Sequence, residues 1–209
     1  MNILEEIILF KRLEVNRRKN EVKLSDLEQT PYFHQPVLSL TQSLTDPAKT
    51  GIIAEFKRRS PSKGMINENA DAGDVTAAYA AHGASGLSVL TDEKFFGGST
   101  ADLIKAIEHG IPVLRKDFIV DEYQIVEARS IGASVILLIA ACLSPEEVKY
   151  FAGFAKELGM EVLLEIHDET ELDHICDEVH MVGVNNRSLK TFNVDIQTSL
   201  RLIKHIPKE

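Results

Sequence analysis

The chain has 209 residues, 44% of them apolar, and carries 32 acidic against 23 basic side chains for a net charge of −9. That length suits one sizeable core, and the acidic balance argues against a nucleic-acid partner, because the one basic cluster, Lys57 to Lys63, is too short to track a phosphate backbone. No apolar run reaches the ~20 residues of a membrane span, the start has no basic stretch leading into an apolar one, and Cys142 and Cys176 make no metal spacing, so they read as buried thiols of a reducing cytoplasm.

Residues 2–20 are predicted to be a helix. Ile3, Ile7, Ile8 and Phe10 form its apolar side, and Lys11, Arg12, Arg17, Arg18 and Lys19 give it a basic end that complements the helix dipole. A second short helix is expected after Ser25, then a loop with Pro31 and Pro36. We read 1–50 as an N-terminal helical extension packed on the main unit, and 51–209 as that unit. From residue 51 one pattern repeats: apolar strand, polar loop, amphipathic helix, glycine. Strands are predicted over 51–57, 86–91, 111–116, 134–140, 161–166 and 181–185. Their starts lie about 20 to 35 residues apart, the size of a strand-plus-helix unit. Gly83, Gly110, Gly132 and Gly159 stand just before strands, where a left-handed helix end is expected. Continuous runs such as Val135 to Ala140 suit parallel strands covered on both faces. Helix starts are marked by Asp121, by Asp195, and by Ser144-Pro145-Glu146-Glu147, which combines an N-cap, an N1 proline and a capping-box glutamate.

The richest stretch runs from Ile52 to Gly64. Glu55 and Lys57 stand two apart, so both share one face of a strand with Ile53, while Ala54 and Phe56 take the other. Such charges are costly to bury unless they pair or serve a site; taken alone, the pair also fits a surface salt bridge. The pattern recurs, with Lys116 ending the third strand, Glu165 the fifth and Asn185 the sixth. Strand–helix repeats leave a barrel with its active groups at the strand C-termini, or an open doubly wound sheet. No G-x-G-x-x-G follows the first strand, which weakens a dinucleotide reading. Five polar groups at the same strand end favour the barrel. Two lysines, two carboxylates and an amide can act as acids and bases, and a lysine in a partly dry pocket or beside another lysine can have its pKa lowered and act as an acid at neutral pH. There is no plausible Ser/His/Asp triad, zinc-type cluster or P-loop. His167 reads as a loop residue. Phe95, Phe96 and Phe118 fall in loops, either as packing or as a wall for an aromatic substrate.

The run Ile-Ala-Glu-Phe-Lys-Arg-Arg-Ser-Pro-Ser-Lys-Gly over 53–64 closely resembles the signature of the indole-3-glycerol phosphate synthases. So do Ser-Val-Leu-Thr-Asp-Glu-Lys-Phe-Phe-Gly-Gly-Ser over 88–99, Leu-Arg-Lys-Asp-Phe-Ile-Val over 114–120, Leu-Leu-Glu-Ile-His over 163–167 and Val-Gly-Val-Asn-Asn-Arg-Ser-Leu over 182–189. The five motifs stand in family order, and the N-terminal helix matches the family's extension. The resemblance implies an α/β fold of the TIM (βα)8 barrel family, with about six βα units present here. It implies a cytoplasmic carboxy-lyase of tryptophan biosynthesis. The substrate would be 1-(o-carboxyphenylamino)-1-deoxyribulose 5-phosphate, whose pyrrole ring closes with loss of carbon dioxide and water, with no metal or organic cofactor.

By the family's pattern, Lys116 would be the general acid on the keto oxygen. Lys57 would hold the carboxylate and assist the dehydration. Glu165 would stabilise a cationic intermediate and move protons, with Glu55 as its partner, and Asn185 would orient a hydroxyl. Ser60 would contact phosphate, with Arg187 and Leu189 also at the substrate, while Phe96, Phe118 and Leu137 would line the anthranilate pocket. The only implied partner is this small molecule, with no nucleic acid or membrane, on a monomer or weak homo-oligomer if the barrel is complete. Two other readings stand beside it. Phosphoribosylanthranilate isomerase, another phosphosugar barrel, does not explain the Glu-x-Lys-x-x-Ser-Pro-Ser run. An inactive, truncated barrel piece serving binding or assembly is the other. The family continues with two more strand–helix units that help hold phosphate. A chain ending at Glu209 is expected to lack them, to expose the edges of its first and sixth strands, and to have little activity alone.

Overall fold

The computed structural model describes residues 2–187 and 194–207. Its main sheet has six strands: β1 (Ile53–Phe56), β2 (Gly86–Leu90), β3 (Val113–Lys116), β4 (Val135–Ile139), β5 (Glu161–Ile166) and β6 (Met181–Val184). They lie side by side in chain order, and every neighbouring pair is parallel. Each crossover therefore steps one strand onward in the same direction. A doubly wound sheet would reverse direction at a switch point, so this is the winding of a TIM barrel, with β1 and β6 at the two edges of a six-stranded arc.

The helices are α1 (Ile3–Glu21), α2 (Leu24–Glu28), α3 (Leu40–Thr45), α4 (Ala72–Ala81), α5 (Glu93–Phe96), α6 (Thr100–Ile107), α7 (Glu122–Ser130), α8 (Pro145–Glu157) and α9 (Gln197–Leu202). Strand alternation divides the core into two layers. Phe56, Leu87, Val89, Ile136, Leu138, Val162 and Leu164 face helix residues such as Leu103, Ile125, Val148 and Ala152. Ile53, Leu114, Val135, Leu137, Ile139 and Leu163 face the inside of the arc. β4 is buried on both faces, as its unbroken Val-Ile-Leu-Leu-Ile run requires. The anticipated glycine stops are present: Gly83, Gly110, Gly132 and Gly159 have φ between +69° and +85°, where a side chain would be strained. The Ser144 capping box and the Asp121 N-cap also form.

The base of the arc is sealed by α3, a helix the sequence pattern does not announce. Leu40 is fully buried, and a Cβ on Gly86 would lie 2.4 Å from its Cδ1, so only glycine leaves room for it. The Glu161 carboxylate at the start of β5 accepts from Leu40 N (2.9 Å), Thr41 N (3.0 Å), Thr41 Oγ1 (2.7 Å) and Ser39 Oγ (2.5 Å). It thereby satisfies the donors at the N-terminus of α3 from another element.

Helix α1 lies along the sheet's helical jacket, with Val15 packed against Leu27, Val120, Tyr123 and Val126. The expected basic helix end forms at Arg18 and Lys19 but does not include Lys11. Lys11 sits mid-helix on the buried stripe Ile7–Lys11–Val15 and is 1% exposed. Its ammonium meets Glu14 (2.8 Å), Asp92 (2.9 Å) and Asp117 (3.0 Å) instead of solvent.

Candidate active site

Strand alternation sends Glu55, Lys116 and Glu165 to the inner face at the C-terminal ends of β1, β3 and β5, with Lys57 and Asn185 in the residues just past β1 and β6. All five line one cavity of about 510 Å³. Ser60, Phe96, Phe118, Leu137 and Arg187 line it too, so ten of the eleven residues expected from the sequence converge. The eleventh, Leu189, lies outside the described residues.

Glu55 is the hub of the charged floor. One carboxylate oxygen accepts from Lys57 Nζ at 2.5 Å and the other from Lys116 Nζ at 3.3 Å. Burial pushes the Glu55 carboxyl up, but Lys116 and Lys57 outweigh it and hold it below its usual range. Burial likewise pulls the Lys116 ammonium down, and the Glu165 and Glu55 carboxylates more than offset that, so its pKa is raised. This corrects the expectation of a lysine with a lowered pKa. Two carboxylates, from β1 and β5, face Lys116 across the inside of the arc, and both favour its charged form. Glu165 Oε1 accepts from Asn185 Nδ2 at 3.1 Å, and Asn185 Oδ1 accepts from Arg187 N at 3.0 Å, which fixes the amide.

The apolar side of the cavity is built from Leu90, Phe96, Phe118, Leu137 and Ile139. The Phe96 and Phe118 rings lie 6.0 Å apart at a 38° tilt, an aromatic wall beside the charged floor. The sequence reading put Phe95 and Phe96 in a loop. They belong to α5, a single turn capped by Asp92, whose Oδ1 accepts from both of their backbone N–H groups. The turn sends Phe95 away from the cavity to stack edge-on against Phe10 of α1, with ring centres 5.9 Å apart. At the rim, Ser60 lies in a two-residue antiparallel pairing, Arg59–Ser60 with Gly64–Met65, and its Oγ accepts from Lys63 N at 3.3 Å. Among the described residues no cluster of His, Cys, Asp or Glu could hold a metal ion. No helix there is long and apolar enough to cross a membrane.

Sequence reasoning missed two contributions. Ile3, Leu4 and Ile7 of α1 close one side of the cavity. Behind the wall, Lys11 ties α1 to Asp92 and Asp117, and Asp117 also accepts from Thr91 Oγ1 (2.6 Å) and pairs with Arg115 (3.1 Å). The available signal was Lys11 itself, which stands four residues from both Ile7 and Val15 on a stripe that otherwise reads as core.

Acid, base and ammonium groups gathered with an apolar wall at the C-terminal mouth of sequentially wound parallel strands define a TIM-barrel enzyme. The comparisons agree with that class and narrow it. A family model of indole-3-glycerol phosphate synthase matches residues 4–209. The chain is 46% identical over 209 residues to the indole-3-glycerol phosphate synthase of Bacteroides thetaiotaomicron, covering 100% of this chain and 80% of that one. It is 43% identical over 211 residues to that of Bordetella pertussis (99% and 80%) and 42% identical over 212 residues to that of Salinibacter ruber (100% and 78%). The chain belongs to the indole-3-glycerol phosphate synthase family. Among solved structures, the phospho-2-dehydro-3-deoxyheptonate aldolase of Thermotoga maritima is similar in fold alone, with a TM-score of 0.52 at 16% identity, over 85% of this chain and 57% of that one.

Proposed function

We propose that this cavity closes the indole ring of 1-(o-carboxyphenylamino)-1-deoxyribulose 5-phosphate, releasing carbon dioxide and water, as the last step that builds indole-3-glycerol phosphate. The observation that carries the reading is the Lys57–Glu55–Lys116 chain beside the Phe96–Phe118 wall. An anthranilate ring fits the wall, and its carboxylate reaches the ammonium of Lys57. The electron-rich ring carbon bearing that carboxylate attacks the keto carbon. The oxygen that becomes an alkoxide takes a proton from Lys116, which its two carboxylate neighbours keep charged until a stronger base arrives. Loss of carbon dioxide restores the aromatic ring. The new hydroxyl then leaves as water with a second proton, for which Lys57 is placed. The cation left behind is stabilised by Glu165, which takes a proton from the methylene beside nitrogen to finish the pyrrole ring. Asn185 holds Glu165 and a substrate hydroxyl, with Glu55 bridging the ammonium groups of Lys57 and Lys116. Ser60 and Arg187 receive the phosphate, and Leu189 completes the substrate contacts. Residues 1–50 act as an extension that walls the site, on a cytoplasmic protein whose partner is this small molecule.

An inert binding piece would have no use for two lysines clamped on one carboxylate inside an apolar-walled cavity. The test is to incubate the purified protein with the substrate and follow indole absorbance together with carbon dioxide release. Turnover, even at the low rate expected from the sequence, supports the reading, and Lys116→Ala should lower kcat by about 10²–10⁴-fold. Substrate that binds but never yields the indole would refute the reading.

A further inference from the structure

We propose that His167 is the proton store behind Glu165: a proton that the carboxylate takes from substrate passes on to the imidazole Nε2. The inference rests on the reading above, in which Glu165 works in proton transfer. His167 directly follows β5 and does not line the cavity. Its side chain is 9% exposed, and its Nε2 is buried without a hydrogen-bond partner, 3.5 Å from Glu165 Oε1. On its other side Glu171 grips it twice, accepting from His167 N at 2.6 Å and lying 3.2 Å from Nδ1.

The tautomer follows from this geometry. An ionised Glu171 can only accept, so Nδ1 carries a hydrogen and the lone pair of a neutral imidazole must sit on Nε2, facing Glu165. A lone pair facing an ionised carboxylate is repulsive. One added proton relieves it, whether it sits on Glu165 or on Nε2, and on Nε2 it yields an imidazolium between two carboxylates. When Glu165 removes the methylene proton, the C–H bond breaks and an O–H bond forms. Transfer then breaks that O–H bond, forms N–H on Nε2 and regenerates the carboxylate beside the reacting centre. The proton returns by the same route once product leaves.

The surroundings favour the loaded form. Glu165 on β5, and Glu171 and Asp168 after it, face the imidazole with negative charge, and together they outweigh the burial that pushes His167 down, raising its pKa. Cys142, after β4, adds no charge, because burial and the same two glutamates push its thiol up to about 12. His174 is engaged with Leu143 O and Glu171 O, and Lys116 meets Glu165 from the cavity side. His167 is thus a positioning and relay residue that acts through Glu165.

The test has an arm that needs no turnover. NMR titration of labelled imidazole should give His167 an apparent pKa above the ordinary ~6.5, and Glu165→Gln should lower it by about one unit or more. No change in Glu165→Gln would overturn the coupling, whether or not the protein makes indole product. In kinetics, the acid limb of the kcat–pH profile should follow the imidazole, because a store already filled cannot accept. His167→Asn, checked for an unchanged melting curve, should move that limb down by about one unit or more and lower kcat roughly tenfold at pH 8 with KM unchanged. Glu171→Gln should move it in the same direction by less. A limb that stays in place in a folded His167→Asn would overturn the proposal. An unchanged coupling in the titration with no indole product would leave the pair standing and refute the substrate reading instead.

Discussion

Arg115, Lys116 and Asp117 are consecutive, yet they serve two ionic clusters of opposite character. Arg115 and Asp117 point into the helical jacket, where they meet Lys11, Thr91, Gln124 and Glu127. Arg115, Asp117 and Lys11 have side chains only 1–2% exposed, and each has at least two charged partners. Lys116 points the other way, to a floor where it, Lys57 and Glu55 are 27–31% exposed and share a single carboxylate. Burial separates the two clusters. A dry, fully paired charge cannot change partners without leaving another charge stranded. A half-wet ammonium can exchange Glu55 for a substrate oxygen at little cost.

The sharpest test of that contrast pairs two lysines. Lys116→Ala should cost two to four decades of kcat but less than about 1 kcal/mol of stability, since its ion pair is partly solvated. Lys116→Arg should not restore turnover, because a guanidinium holds its proton too tightly to donate it. Lys11→Met should do the reverse, lowering unfolding free energy by about 3–5 kcal/mol because Asp92 and Asp117 lose the ammonium that pairs with both. Denaturant unfolding and steady-state kinetics on both variants measure the difference. Equal loss of stability in the two would erase the distinction.

Acid should distinguish the clusters next. Burial pushes Asp117 up, but Lys11 and Arg115 pull it well below the carboxylate range; Arg115 and Arg18 likewise overcome burial at Glu127. In the unfolded chain these groups take protons near pH ~4, and in the folded protein they resist. Their stabilisation is therefore complete above that pH and is lost as pH falls toward the depressed folded values. Melting temperature should drop steeply below about pH 4, and Asp117→Asn should flatten the drop while lowering stability at neutral pH.

Glu55→Gln should be milder in stability, within about 1 kcal/mol, since its partners are part-exposed. It should lower kcat about tenfold by leaving two ammonium groups to repel each other. The smallest effect is expected from Phe96→Leu, which trims the aromatic wall. It should raise KM about three- to tenfold, as one lost apolar contact does, and leave kcat near its original value.

The inner cluster was legible because its signal is local. Alternation along β1 puts Glu55 and Lys57 on one face, and the ends of β3 and β5 repeat the lesson. The outer cluster was not, because Lys11 reaches Asp92 and Asp117 across more than eighty positions of chain, and a lysine near other basic residues reads as a solvated helix end. The direction of the Lys116 shift was missed for a related reason: it depends on counting carboxylates contributed by two other strands. Helix α3 escaped notice because its six residues carry little helical signal of their own, and its N-terminus is held by Glu161, about 120 positions away. α5, one turn long, owes its existence to Asp92, whose other oxygen belongs to the Lys11 cluster.

Glu161 and Glu165 stand at opposite ends of the same short strand, one clasping the α3 plug and the other lining the cavity. Durability and chemistry thus occupy different storeys of the molecule, joined by the packed interior of β5. Variation at the lower storey can accumulate under selection for heat or cold while the upper one keeps its reaction. A protein engineer seeking a longer shelf life has the same freedom, and would begin around Leu40 and Gly86 instead of at the mouth.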